Sequence, residues 1–212
     1  MSDALALAGW RREVAALYAR IRGADDPQSG WRDWCETRNR LFGEHPASPI
    51  PAARRANYAG IPVYPYDPAL RFACAIVPAI DPQSFTVEIG RDGAIAMHPV
   101  GRTDGLTQRL GGELTLFWIE GYGGGLFAPF RDATCCDETG GGGETYGGGR
   151  YLLDTIKGAD LGDDLGANGD KRLILDFNFA YHPSCAHAPD WVCPLAPLDN
   201  HLPNAVRGGE RL

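Results

Sequence analysis

The chain has 212 residues and a mass of 22.9 kDa, the size of one ordinary domain. It contains 28 glycines, nearly twice the usual share of roughly 7%, and 16 prolines; both residues break helices, which excludes an all-helical bundle. A net charge of −7 argues against nucleic acid as a partner, because duplex binding rests on a basic footprint.

The N-terminus reads as helix. Leu7, Trp10, Val14, Leu17 and Ile21 recur at three- and four-residue steps and form one apolar stripe. Ser2 is the N-cap, and Gly23 with Pro27 ends the pattern. A second helix is expected over residues 29–43, with Trp31, Trp34, Arg38, Leu41 and Phe42 aligned. Three prolines in residues 46–51 then hold the chain extended.

From Ile61 onward the pattern alternates like strand. Phe85, Val87 and Ile89 alternate, as do Leu114, Leu116 and Trp118. Residues 107–110 and 113–119 flank Gly111-Gly112, which predicts a two-residue hairpin turn. Residues 126–130 and 146–153 form shorter strands, and residues 173–180 place Asp176 and Asn178 on one face. Long loops are expected over 131–149 and 154–172. Residues 182–212, punctuated by prolines, should wrap the body as ordered loop.

The expected architecture is therefore mainly β. It is a single-domain antiparallel barrel or two-sheet sandwich of residues 61–212, with an N-terminal helical arm, residues 1–60, packed on it as one folding unit. No apolar run reaches the ~18 residues needed to span a bilayer, and Met1-Ser2-Asp3 lacks the basic start of a secretory signal. A cytoplasmic protein is expected, its six cysteines (35, 74, 135, 136, 185 and 193) mostly reduced.

Three constellations carry chemistry. The glycine-rich residues 140–149 suggest a phosphate cradle, but no G-x-x-x-x-G-K-[ST] occurs and Arg150-Tyr-Leu-Leu reads as strand. No helix start then awaits an anion, and a tightly packed connection is the better reading. His182, Cys185, His187, Cys193 and His201 fall within twenty residues. Cys185, His187, Cys193 and His201 make a conceivable zinc set, although their spacing matches no common module. Structural thiols, a Cys185–Cys193 bridge, or Cys185 as nucleophile with His182 or His187 as base compete with it.

The third constellation is Asp132, Thr134, Glu144, Thr145, Tyr146, Arg150, Asp176, Asn178 and Tyr181. Polar groups on buried strands need partners, so these form either a satisfied network or a pocket in which Arg150 faces the carboxylates between Tyr146 and Tyr181. Paired carboxylates there would suit acid–base work.

These stretches resemble a prokaryotic family known as domain of unknown function 1684. The likeness runs through Phe130-Arg-Asp-Ala-Thr134, Glu144-Thr-Tyr-Gly-Gly-Gly-Arg-Tyr-Leu152 and Leu175-Asp-Phe-Asn-Phe-Ala-Tyr181. It continues through Cys185-Ala186, Cys193-Pro194, Asn200 and Gly209-Glu210. The resemblance implies a β-rich fold and no assigned activity. Residues 135–143 look like an insertion in this pattern, and His182, His187 and His201 depart from it. That leaves Asp132, Thr145, Tyr146, Arg150, Asp176, Asn178, Tyr181, Cys185, Cys193 and Asn200 as candidate ligand-binding residues, with no cofactor implied. The leading expectation is a small polar-ligand pocket. The alternatives are a hydrolase or lyase using Asp/Glu or Cys185, and an interaction module whose motif residues form a buried network.

Overall fold

The computed structural model describes residues 2–89, 93–137, 141–188 and 191–212. Residues 138–140 of the expected insertion and Pro189 of the wrapping segment lie outside the described residues. Two helices, α1 (Ser2–Arg22) and α2 (Pro27–Glu44), precede eight strands. These are β1 (Arg71–Pro78), β2 (Phe85–Glu88), β3 (Ala94–Asp104), β4 (Thr115–Ile119), β5 (Gly125–Phe130), β6 (Arg150–Asp154), β7 (Asp163–Leu165) and β8 (Lys171–Asp176). They make one antiparallel sheet in the order β6-β5-β4-β3-β1-β8-β7, with β2 paired to β3. The sheet curls into a half-barrel, so of the two expected forms it is the barrel type. Beyond β8 the chain reaches β6, where Tyr151 and Tyr181 exchange backbone hydrogen bonds of 2.8 and 3.0 Å.

α2 begins two residues earlier than the periodicity suggests. Pro27 ends the α1 pattern and also opens α2, because Asp26 caps it by accepting from the N–H groups of Gln28 and Ser29. The helices bury their apolar stripes against Phe127, Tyr151, Phe179 and Tyr181: Trp34 is fully buried and meets Phe179 edge to face at 5.7 Å, and its indole N–H donates to the Tyr18 hydroxyl at 3.2 Å. A second cluster packs Leu70, Leu106, Leu114, Phe130 and Phe177 with Leu202 and Val206 of the C-terminal segment.

Residues 107–110 form a helical turn, not the first strand of a hairpin. The Glu113 carboxylate accepts from the N–H groups of Gly105, Leu106 and Thr107 and so caps that turn from outside. Gly111, at φ +79°, closes it. The expected strand over 173–180 stops at Asp176, whose side chain accepts from the Asn178 N–H and starts a 3-10 turn, Phe177–Phe179. β7 lies inside the expected 154–172 loop as a fully exposed acidic edge, where charge discourages further pairing. Among the described residues no helix is long and apolar enough to cross a membrane.

Candidate functional site

Gly149 fixes where Arg150 can go. Its φ is +92°, and a Cβ there would lie 2.5 Å from the Phe130 carbonyl oxygen, so only glycine lets β6 start so close to β5. Arg150 is consequently fully buried. Its Nη2 donates to Asp132 Oδ2 and the Val206 carbonyl, both at 2.8 Å, and its Nη1 donates to the carbonyls of Gly208 (2.5 Å) and Glu210 (3.1 Å). The other Asp132 oxygen accepts from the N–H groups of Thr134 and Val206. One guanidinium thus ties the Asp-Ala-Thr loop, β6 and the C-terminal segment together.

The other candidates from the motifs are engaged in the same manner. Thr145 and Thr134 share a hydroxyl hydrogen bond of 2.9 Å. Asn200 substitutes for a strand at the β5 bulge: its Oδ1 accepts from the Thr115 N–H, and its Nδ2 donates to the carbonyls of Thr115 and Pro129. Asn178 does the same for Asp67, accepting from its N–H and donating to its carbonyl, both at 2.8 Å. It also donates to Asp176 at 2.7 Å. The carboxylates are dispersed, each beside its own arginine: Asp132 with Arg150, Glu144 with Arg207 and Asp176 with Arg71. No two of these three share a proton.

A second buried ion pair escapes notice in the sequence. Glu210 is fully buried; its Oε1 accepts from Arg38 Nε at 2.7 Å and lies 2.5 Å from Nη2, and its Oε2 accepts from the His182 N–H at 2.7 Å. Gly209, at φ +76° and too close to Ala180 for any side chain, sets Glu210 in place. Burial, the largest single influence, works against the Arg38 charge, but the charge and hydrogen bond of Glu210 with the Tyr18 and Tyr181 hydroxyls together hold Arg38 above the ordinary arginine range. The guanidinium also sits 4.9–5.1 Å from the ring centroids of Trp34, Phe42 and Tyr181. The signal was available: Arg38 is the cation in the otherwise apolar stripe of α2, and a cation on a buried face requires a buried anion.

Next to this pair lies a cavity of about 70 Å³, walled by Tyr18, Arg38, Tyr151, Lys157, Tyr181 and His182 among others. Of the ten candidates only Tyr181 lines it. Tyr146 places its hydroxyl 3.7 Å from Cys185 Sγ, and Tyr151 donates its hydroxyl hydrogen to the Pro194 carbonyl at 2.6 Å. Burial pushes the Tyr146 hydroxyl up to about 12.

The conceivable zinc set does not assemble. Among the described residues no three His, Cys, Asp or Glu side chains converge as metal ligands. His201 is drawn away to pair with Arg131 beside β5, while His187 meets Phe42 edge to face at 4.9 Å. His182 is buried, and its Nε2 accepts the Tyr146 N–H at 3.3 Å, which requires a neutral ring. Burial lowers its pKa to about 4. The unfolded imidazole titrates near 6.5, so between about pH 6.5 and 4 the unfolded chain binds a proton that the folded chain refuses. Stability is therefore complete above about pH 6.5 and falls as the pH drops toward 4, by up to about 3 kcal/mol. Urea midpoints of wild type and His182→Asn across this window are expected to diverge, the variant being the flatter. His187, which burial also lowers, contributes to the slope that remains.

The family described as protein of unknown function DUF1684 matches residues 56–211. The chain belongs to this family. A solution NMR structure of an uncharacterised protein of Haloarcula marismortui is similar, with 29% sequence identity and a TM-score of 0.58 over 91% of this chain and 97% of that one. No curated protein matches. The family match contains the Arg150 clamp and Glu210 but begins after α2, so Tyr18 and Arg38 reach the cavity from outside it. The likeness to the archaeal structure extends beyond the matched stretch.

Proposed function

We propose that this DUF1684 protein binds a small polar, anionic molecule, with a carboxylate-sized acidic group, in the cavity between the helical arm and the Tyr151–Tyr181 end of the sheet. The observation that carries the reading is the posture of Arg38. Its Nε and Nη2 are turned to Glu210, leaving the Nη1 edge of a preorganised guanidinium to a ligand. Lys157, whose ammonium is shared with the Asp154 carboxylate at 3.1 Å, and the hydroxyls of Tyr18 and Tyr181 stand on the same walls, and the apolar Trp10, Val14 and Phe42 would cover a short hydrocarbon part. The volume of about 70 Å³ suits a handful of waters or a ligand of few non-hydrogen atoms. On this reading the protein works in the cytoplasm, and the motif residues around Arg150 and Asp176 act as the scaffold that fixes the cavity walls.

Native mass spectrometry of freshly purified protein, followed by thermal shift with a panel of small mono- and dicarboxylates and inorganic phosphate, tests this. At about a hundred times Kd, a true ligand adds about 2.7 kcal/mol of stability and raises Tm by several degrees. Lys157→Met also removes the partner of the buried Asp154 carboxylate, 3.1 Å away, so its own ligand-free Tm is expected to fall, and the ligand-induced shift measured from that baseline is expected to weaken. If no anion in the panel moves Tm and no bound species is found, the reading is wrong.

A further inference from the structure

Among the described residues no Asp or Glu lines the cavity between the helical arm and the sheet. Its cations, Arg38 and Lys157, face it, and their carboxylate partners, Glu210 and Asp154, stand behind them. The two cations are not equivalent. The Lys157 side chain is 55% exposed and shares its ammonium with Asp154 at 3.1 Å. Arg38 is 12% exposed, and Glu210 holds it through Nε and Nη2. Its Nη1 has no partner among the described residues and stays within reach of solvent. The Tyr18 hydroxyl accepts the Trp34 indole N–H at 3.2 Å, so its own hydrogen is left to donate. Burial pushes that hydroxyl up to about 12, which keeps the hydrogen in place at neutral pH. The Tyr181 hydroxyl also lacks a partner among the described residues and stays within reach of solvent. Apolar surface begins directly beside the cation: the Phe42 ring centroid is 4.9 Å from Arg38 Cζ, and Trp10 meets Phe42 at 5.5 Å.

We infer that the cavity selects a short aliphatic monocarboxylate in its ionised form, its oxygens accepting from Arg38 Nη1 and the Tyr18 and Tyr181 hydroxyls, its chain lying against Phe42, Trp10 and Val14. This rests on the reading of the cavity as an anion site and adds the charge and shape of the ligand. One buried cation with an open edge matches one negative charge. A second charge, on a dicarboxylate or on phosphate, would find only Lys157, half exposed and already held by Asp154. It would also be repelled by Glu210 and Asp154 behind the walls, and a buried charge without a partner of its own is costly. An uncharged amide of the same shape fails differently, because it turns an NH2 group toward donors where the carboxylate presents an acceptor. Tyr18 is the specificity-determining residue in this arrangement, since Trp34 fixes its hydroxyl as a donor.

The test titrates the full wild-type chain at neutral pH with propionate, propionamide, malonate and inorganic phosphate, following Tm and the heat of binding. Propionate is expected to bind at least about tenfold more tightly than each of the other three, the share of one hydrogen bond to a charged group. Tyr18→Phe is expected to weaken propionate about tenfold, measured from its own ligand-free baseline because the Trp34 N–H loses its acceptor. Malonate or phosphate binding as tightly as propionate overturns the selection of a single charge and leaves the anion site standing. Propionamide binding as tightly as propionate overturns both. Silence from all four probes ends this inference, and the anion site stands only if another anion of the wider panel binds. A Tyr18→Phe chain that binds propionate like wild type removes Tyr18 as the determinant, and with it the assigned pose.

Discussion

Replacing Arg150 with alanine is expected to remove about 3–5 kcal/mol of folding stability, the range for breaking a fully buried ion pair from one side. Most of that loss is the Asp132 charge left without its cation in a site that water does not reach. The carbonyls of Val206, Gly208 and Glu210 lose their donor in the same step, and a buried acceptor left unpaired costs about 1–3 kcal/mol. Domains of this size are stable by only about 5–15 kcal/mol, so the loss is a large share of the total and the urea midpoint should fall steeply. Arg150→Lys keeps the charge but offers one nitrogen where two now serve four acceptors; it should fall between wild type and alanine. Urea denaturation followed by far-UV circular dichroism gives the midpoints that decide the order. A folded Arg150→Ala protein of near wild-type midpoint would mean that the clamp is not structural, and would return Arg150 to the list of ligand-binding groups.

That expectation exposes what could be read from the sequence. The two helices and the β-rich body were legible because Leu7, Trp10, Val14 and Leu17 repeat with helical period and Leu114, Leu116 and Trp118 with strand period. β3 was hidden because Pro99 and Gly101 interrupt its middle; they sit at a bulge where the register slips and pairing survives. The turn at 107–110 was misread because its cap, Glu113, acts from beyond Gly111-Gly112, and a cap supplied by tertiary contact leaves no local trace. The motif residues were found but not their roles. Residue types select polar side chains, and only the distances separate a pocket from a network. Asn200 and Asn178 resemble ligand-binding amides in the sequence, and in the fold each completes a backbone pairing. The role of Glu210 leaves no trace in its neighbourhood of the sequence, because its cation lies 172 residues away on α2.

Glu210→Ala is expected to be nearly as costly as loss of Arg150, again about 3–5 kcal/mol, since Arg38 would keep a buried positive charge and the His182 N–H would lose its acceptor. Arg38→Met alone should cost a comparable amount by stranding the Glu210 carboxylate. The double variant Arg38→Met with Glu210→Leu should recover much of either loss, because removing both charges removes the desolvation that each imposes on the other's mutant. A double-mutant cycle measured in urea would then give a large favourable coupling between residues on α2 and the C-terminal segment. The same double variant separates stability from function. It rebuilds the wall of the cavity with an apolar pair, keeps Tyr18, Tyr181 and Lys157, and removes the cation assigned to the ligand together with its carboxylate partner. A folded double variant that no longer gains stability from the anion makes Arg38 the binding group. One that still gains it leaves the ion pair as a clasp between helix and sheet, and assigns the anion to Lys157.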